Sequence, residues 1–442
     1  MRRLDTIGAM LGLSARSPLV LPWATLKLAG RFVLPLALWF TIGELLRYGV
    51  MYGGYRLGSM KGTAATVAPI ATVGLLVVIT LAVTVLMVHS VREGLDVVHA
   101  RESDGELTPW AVGNEESVIG AMGRAALPFV IFYLAWGKQS EDAREFAEMA
   151  ASRGFAEGGI QGQLDALELL LSLEKHVGLA IGLTAGLFVM KVAAEWRLEE
   201  RLPRAVGALV AFLEVQFALF GIFTVDHLRS EAAEWATGRQ AWEWLTGATG
   251  PALALWPPFK DAVLGALILL VIAGVILGLD AGDERVVLGR SRAAQRLARA
   301  GGIERTNSPR EILTRGFREM WLPAWFGLRL VRRSGMMPFA TFCLLFAALD
   351  VGQEASRRFV YELIGPHEVT WWIQVLPFVG YGTSLVFEIL RVCLLAAAFN
   401  LVMARVSART AAKAVAPPPS GTSSVPVSPG PVSPPWHGAP SP

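Results

Sequence analysis

Cysteine is nearly absent from this chain. Cys343 and Cys393 are the two among 442 residues, and each lies inside an apolar stretch. That excludes a disulfide framework and a Cys-rich zinc site. Charge is scarce as well. Asp, Glu, Lys and Arg make up 17% of the residues, where a soluble domain carries about 25%. No G-x-x-x-x-G-K-[ST], H-E-x-x-H or G-x-S-x-G occurs, so no phosphate cradle, zincin helix or nucleophile elbow is legible. An ATP-driven role would need a separate ATPase subunit. No enzyme chemistry and no cofactor is indicated. The net charge of +3 is too small to point to nucleic acid.

Apolar residues fill the space that charge leaves. They make up 53% of the chain, and the mean hydropathy is +0.47. The composition is that of an integral membrane protein. The stretch Phe378–Val402 is long enough to cross a bilayer, which takes about 20 mostly apolar residues, yet it carries Glu388 and Arg391 near its middle. A central charge costs roughly 2.5–3.5 kcal/mol, and each Leu, Ile, Val or Phe returns about 0.3–0.6. With thirteen such residues against two charges, this helix is marginal alone and requires partner helices.

The rest of the chain can supply them. Eight spans are predicted, at Phe32–Val50, Val67–Ser90, Ala125–Gly137, Val177–Glu195, Ala205–Val225, Asp261–Leu279, Met337–Gly352 and Phe378–Val402. The second and sixth are uninterrupted apolar runs, whereas the third and seventh are short. Pro35, Pro128 and Pro338 fall early in their spans, where a missing N–H costs little. The expected fold class is all-α: a polytopic bundle of about eight transmembrane helices in four hairpins, with interfacial amphipathic helices beside it. The segments are 1–31, a cytoplasmic interfacial helix; 32–280, the first six spans with an acidic outer loop at 138–176; 281–336, a basic cytoplasmic loop; 337–404, the last two spans; and 405–442, a disordered Pro-rich tail.

Lys and Arg set the orientation. With the N-terminus inside, the inner segments hold 26 of them and the outer segments 11. Both termini are therefore expected in the cytoplasm of a bacterial cell, with the bundle in its inner membrane. In the outer loop, Ser140-Glu141-Asp142 reads as a helix start and Gly154 as a stop, with a second helix after it. The loop 281–336 alternates arginines with Ile312, Phe317, Met320, Trp321, Phe326 and Leu330. That pattern suits anionic lipid headgroups better than nucleic acid. The tail beyond Ala414 has ten prolines and no charge, so it cannot bury a core. A plain disordered tail is the expectation, with polyproline II offered to partner subunits as the alternative.

Candidate site residues are the charges inside spans, because ionisable groups there mark ion or substrate paths. Glu388 and Arg391 are three residues apart and share a helix face. Glu214 sits mid-span in the fifth helix, and straight helices would bring it to the depth of Arg391. The expectation is an intramembrane polar cluster of Glu214, Glu388 and Arg391. The competing reading is a pair that only fixes helix packing. Glu44 and Asp350, nearer the outer ends, are expected to reach water. His89, Glu93, Asp96 and His99 have metal-ligand side chains that a continuous helix would gather on one face, against the plainer reading of a charged helix end. The function expected is a permease-like subunit for a small solute or ion. The alternative is a non-catalytic membrane scaffold that binds anionic lipid and partner proteins.

Overall fold

The computed structural model describes residues 20–60, 63–95, 138–171, 259–277 and 336–415, with parts of 121–133, 182–190 and 212–217. Among the described residues the chain is all-α. Helix α1 is Val20–Gly58, α2 Thr63–Val91, α3 Lys138–Leu171, α4 Ala266–Ile276, α5 Met336–Ile364 and α6 Val369–Val415. Three helices are long and apolar enough to cross a membrane, at Val20–Gly58, Val67–Gly94 and Gln374–Arg405, which suggests a membrane location.

Helix α1 bends where its sequence requires it. Phe32 leaves helical geometry (φ −111°, ψ 15°), three residues before Pro35. A proline removes the bond to the carbonyl four residues back, here that of Arg31, and its ring clashes with that carbonyl. The break therefore divides α1 into a first piece and a straight run from Val33 onward. The turn after α2, Arg92–Gly94, settles on this bend, because Gly94 abuts Phe32 and Leu28.

The α1–α2 hairpin is close-packed through small residues. A Cβ on Gly43 would strike Val83, and one on Gly54 would strike Thr72. Trp39 donates its indole N–H to Ser90 Oγ at 3.1 Å. Hydroxyls within the apolar helices donate back to carbonyls one turn earlier, as at Thr41, Thr72, Thr80, Thr84 and Thr383. In hydrocarbon this is how such a group is satisfied without water.

The main core lies where α4 and the second half of α6 meet α1, α2 and residues 121–133. From Val392 to Phe399 every residue of α6 is buried. Helix α4 is apolar on all sides and buried nearly all round, as a central helix should be. A π-helical turn, Lys260–Gly265, leads into it. Helix α5 runs twelve residues past Gly352 before the chain turns at Gly365, whose φ of 79° needs a glycine. His367 stacks on Trp371, and Trp372 meets Tyr361 edge-on. This aromatic cluster at a helix turn has the composition of a membrane-interface belt.

Two segment boundaries differ from expectation. Helix α6 continues to Val415, so residues 405–415 are helix rather than tail; Ala404, Ala411, Ala412 and Ala414 favour that state. Within 138–176 the first helix passes through Gly154 and breaks at Gly158 and Gly159 instead. Gly154 does not stop the helix because its role is packing: a Cβ there would strike the carbonyl oxygen of Gly162 on the returning half. The basic loop, apart from Met336, and the chain beyond 415 lie outside the described residues.

Candidate functional site

Arg391 sits on α6, inside a segment apolar enough to cross a membrane. Its Nη1 donates to Glu388 Oε2 at 2.5 Å, and its Nη2 donates to Asp350 Oδ1 at 2.7 Å. The first partner is one turn back on the same helix; the second comes from α5. Gln353 Oε1 lies 3.4 Å from the same Nη2, while Gln353 Nε2 donates to Ser384 at 3.4 Å. The guanidinium also faces the Phe346 ring, 6.0 Å from its centroid. The network is partly open, because the Arg391 and Glu388 side chains are 23% and 29% exposed and that of Asp350 is 51% exposed.

A second network was not foreseen from the sequence. Arg47 on α1 donates from Nη1 to Thr80 Oγ1 on α2 at 2.9 Å. Its Nη2 reaches Asp142 Oδ1 at 2.8 Å and Glu145 Oε2 at 2.5 Å, both on α3. Tyr133 donates its hydroxyl to the other oxygen of Asp142. Arg47 and Asp142 are well covered, at 12% and 7% exposure. Asp142 and Glu145 are three apart, so one guanidinium meets both across a single turn.

The two networks face each other. Glu44 lies one turn before Arg47 on α1, and it is within electrostatic reach of Arg47, Asp142, Glu145 and Glu388. Nearby, Tyr381 of α6 meets Thr41 of α1 with their hydroxyl oxygens 2.7 Å apart, and its ring packs on Phe40. Two arginines thus stand among five carboxylates: Glu44, Asp142, Glu145, Asp350 and Glu388. Each arginine already holds two of them, and Glu44 is the fifth.

The sequence carried a signal for this. Glu44-Leu45-Leu46-Arg47 has the same spacing as Glu388-Ile389-Leu390-Arg391. The contacts could not be read, because Arg47 turns away from its own helix toward a partner about a hundred residues distant.

Of the other candidates, Glu214 lies outside the described residues. Its neighbour Gln216 is 2% exposed and donates Nε2 to the carbonyl of Ala71 at 3.0 Å. Its Oε1 is buried and has no partner among the described residues, and it fills the space that a Cβ on Gly74 would need. For His89, Glu93, Asp96 and His99, the helical period that would gather them stops at Val91: residues 92–94 form a 3₁₀ turn and Leu95 is extended. Asp96 and His99 lie outside the described residues. Among the described residues no group of three or more His, Cys, Asp or Glu is placed to hold a metal ion.

Comparison of the chain with protein-family models, curated proteins and solved structures finds no match.

Proposed function

We propose that this protein is a permease-like membrane subunit that moves a small solute or ion, with Glu388, Arg391 and Glu214 on its path. In this reading the bundle has eight spans, with both ends cytoplasmic, in a bacterial inner membrane. Basic residues of 281–336 rest on anionic headgroups, and partner subunits supply any energy source. The observation that carries the reading is the bridge from Arg391 to Glu388 and Asp350 between two apolar helices. Charges at such depth are costly and are kept where an ion or polar solute uses them. The excess of carboxylates over arginines around Glu44 favours a cation over an anion.

A second reading rests on the dry run Val392–Phe399 immediately after Arg391. A centre packed that fully suits a membrane scaffold whose charge pairs fix helix register.

The test is flux across liposomes. Purified protein is reconstituted in vesicles loaded with pH- and potassium-sensitive dyes, and Glu388→Gln/Arg391→Gln is compared with wild type. Flux above that of empty vesicles, lost in the folded double variant, supports transport through this site. Wild-type vesicles as tight as empty ones would move the assignment to the scaffold.

A further inference from the structure

Helix α3 is attached to the bundle in an unusual way. Its apolar seam is small and separate from the main core, consisting of Phe146, Ala150 and Ala166 against Met51, Tyr55 and Leu76. Val50 and Met149 pack against this seam, and polar contacts flank it. Tyr55 donates to Glu157 at 3.1 Å, Arg56 lies 3.6 Å from Glu157, and Arg153 donates to Tyr48. Among the described residues the one well-covered ionic contact of α3 is Arg47 with Asp142. Gly154 and Gly162 hold the two halves of α3 in backbone contact.

Glu44 stands three residues before Arg47 on the same helix. It accepts no hydrogen bond among the described residues, although Arg47 is within its electrostatic reach. Arg391 and Glu388, at the same spacing on α6, close a direct bond at 2.5 Å. The backbone geometry of a helix therefore permits the Glu44–Arg47 bond. It is open here because α3 has taken the guanidinium.

We infer that α3 is a flap latched by Arg47, and that its release passes Arg47 from Asp142 and Glu145 to Glu44. Docked, Arg47 holds the α3 carboxylates and Glu44 is free. Released, Asp142 and Glu145 enter water, and Arg47 pairs within α1 as Arg391 does within α6. A buried guanidinium stripped of all partners is strongly unfavourable. Having a second acceptor in place converts an unfolding event into an exchange between two paired states. The inference goes beyond transport and is measured without flux.

The experiment uses full-length protein in nanodiscs, reading melting temperature and amide hydrogen exchange. Asp142→Asn/Glu145→Gln is expected to fold, with exchange in 138–157 about tenfold faster and α1 unchanged, as for opening of a local unit. Glu44→Gln alone is expected to leave the melting temperature nearly unchanged. Added to Asp142→Asn/Glu145→Gln it lowers the melting temperature several-fold more than in wild type, since Arg47 then faces none of these three carboxylates. In an Arg47→Gln background, Glu44→Gln has no further effect. Equal cost of Glu44→Gln in all backgrounds overturns the exchange, as does unchanged α3 protection. Failure of Asp142→Asn/Glu145→Gln to fold also overturns it, because Glu44 then does not replace the α3 carboxylates as the partner of Arg47.

Discussion

Arg391 serves two acids at once, and this makes its removal unlike theirs. Arg391→Gln strands Glu388 beside an apolar helix and leaves Asp350 without its cation. The network is partly open, so the expected loss is about 1–3 kcal/mol rather than the larger values of sealed pairs. Glu388→Gln/Arg391→Gln leaves only the half-exposed Asp350 unpaired and should melt later than Arg391→Gln alone. Thermal unfolding in detergent compares the two directly, and the reverse order would show that Glu388 stabilises the fold through contacts other than Arg391. Gly54→Ala places a methyl against Thr72, which is buried and already donates to Ala68. An overpacked contact of this kind costs about 1–3 kcal/mol. Gly53→Ala, one residue away and meeting nothing within 4 Å, is the control and should cost none.

Among the helices, α3 shows how element boundaries are decided. Its sequence is polar enough to read as a loop with two helical pieces. The break falls at Gly158-Gly159 because Gly159 adopts φ 62° and ψ −147°, a region that side chains other than hydrogen rarely enter. Gly159→Ala should therefore destabilise the hairpin by about 1–3 kcal/mol. Faster amide exchange in 138–171 with an unchanged α1–α2 hairpin would confirm a local effect. Phe146 is fully buried in the small α3 seam. Phe146→Ala should release α3 at a cost of about 3 kcal/mol, the low end for an aromatic truncation. Loss of the whole bundle instead would mean that α3 is part of the core.

At the scale of the whole molecule, three apolar helices and a dry centre around α4 and α6 point to the bilayer. Membranes carrying the protein should retain it through alkaline carbonate and high salt and release it only to detergent. Recovery in the carbonate supernatant would contradict spanning. The long helices exceed what a bilayer needs. Helix α6 has 47 residues, about 70 Å at about 1.5 Å per residue, against a hydrocarbon core of about 30 Å. The Tyr361, His367, Trp371 and Trp372 cluster sits at the α5–α6 turn and has the composition of an interfacial belt.

Composition and periodicity determined the all-α class and the membrane-length helices. These follow from local chemistry: apolar length and the helical period. The one-turn relation of Glu388 to Arg391 is local too, and was legible for the same reason. The partners of Arg47 and Arg391 on other helices were decided only in three dimensions. Asp142 is 95 residues from Arg47 and Asp350 is 41 from Arg391. Which carboxylate a guanidinium takes depends on how the helices are set against one another, and that setting rests on small residues such as Gly43, Gly54 and Gly74. Sequence spacing along one helix carries no information about which neighbour will fill the gap across it.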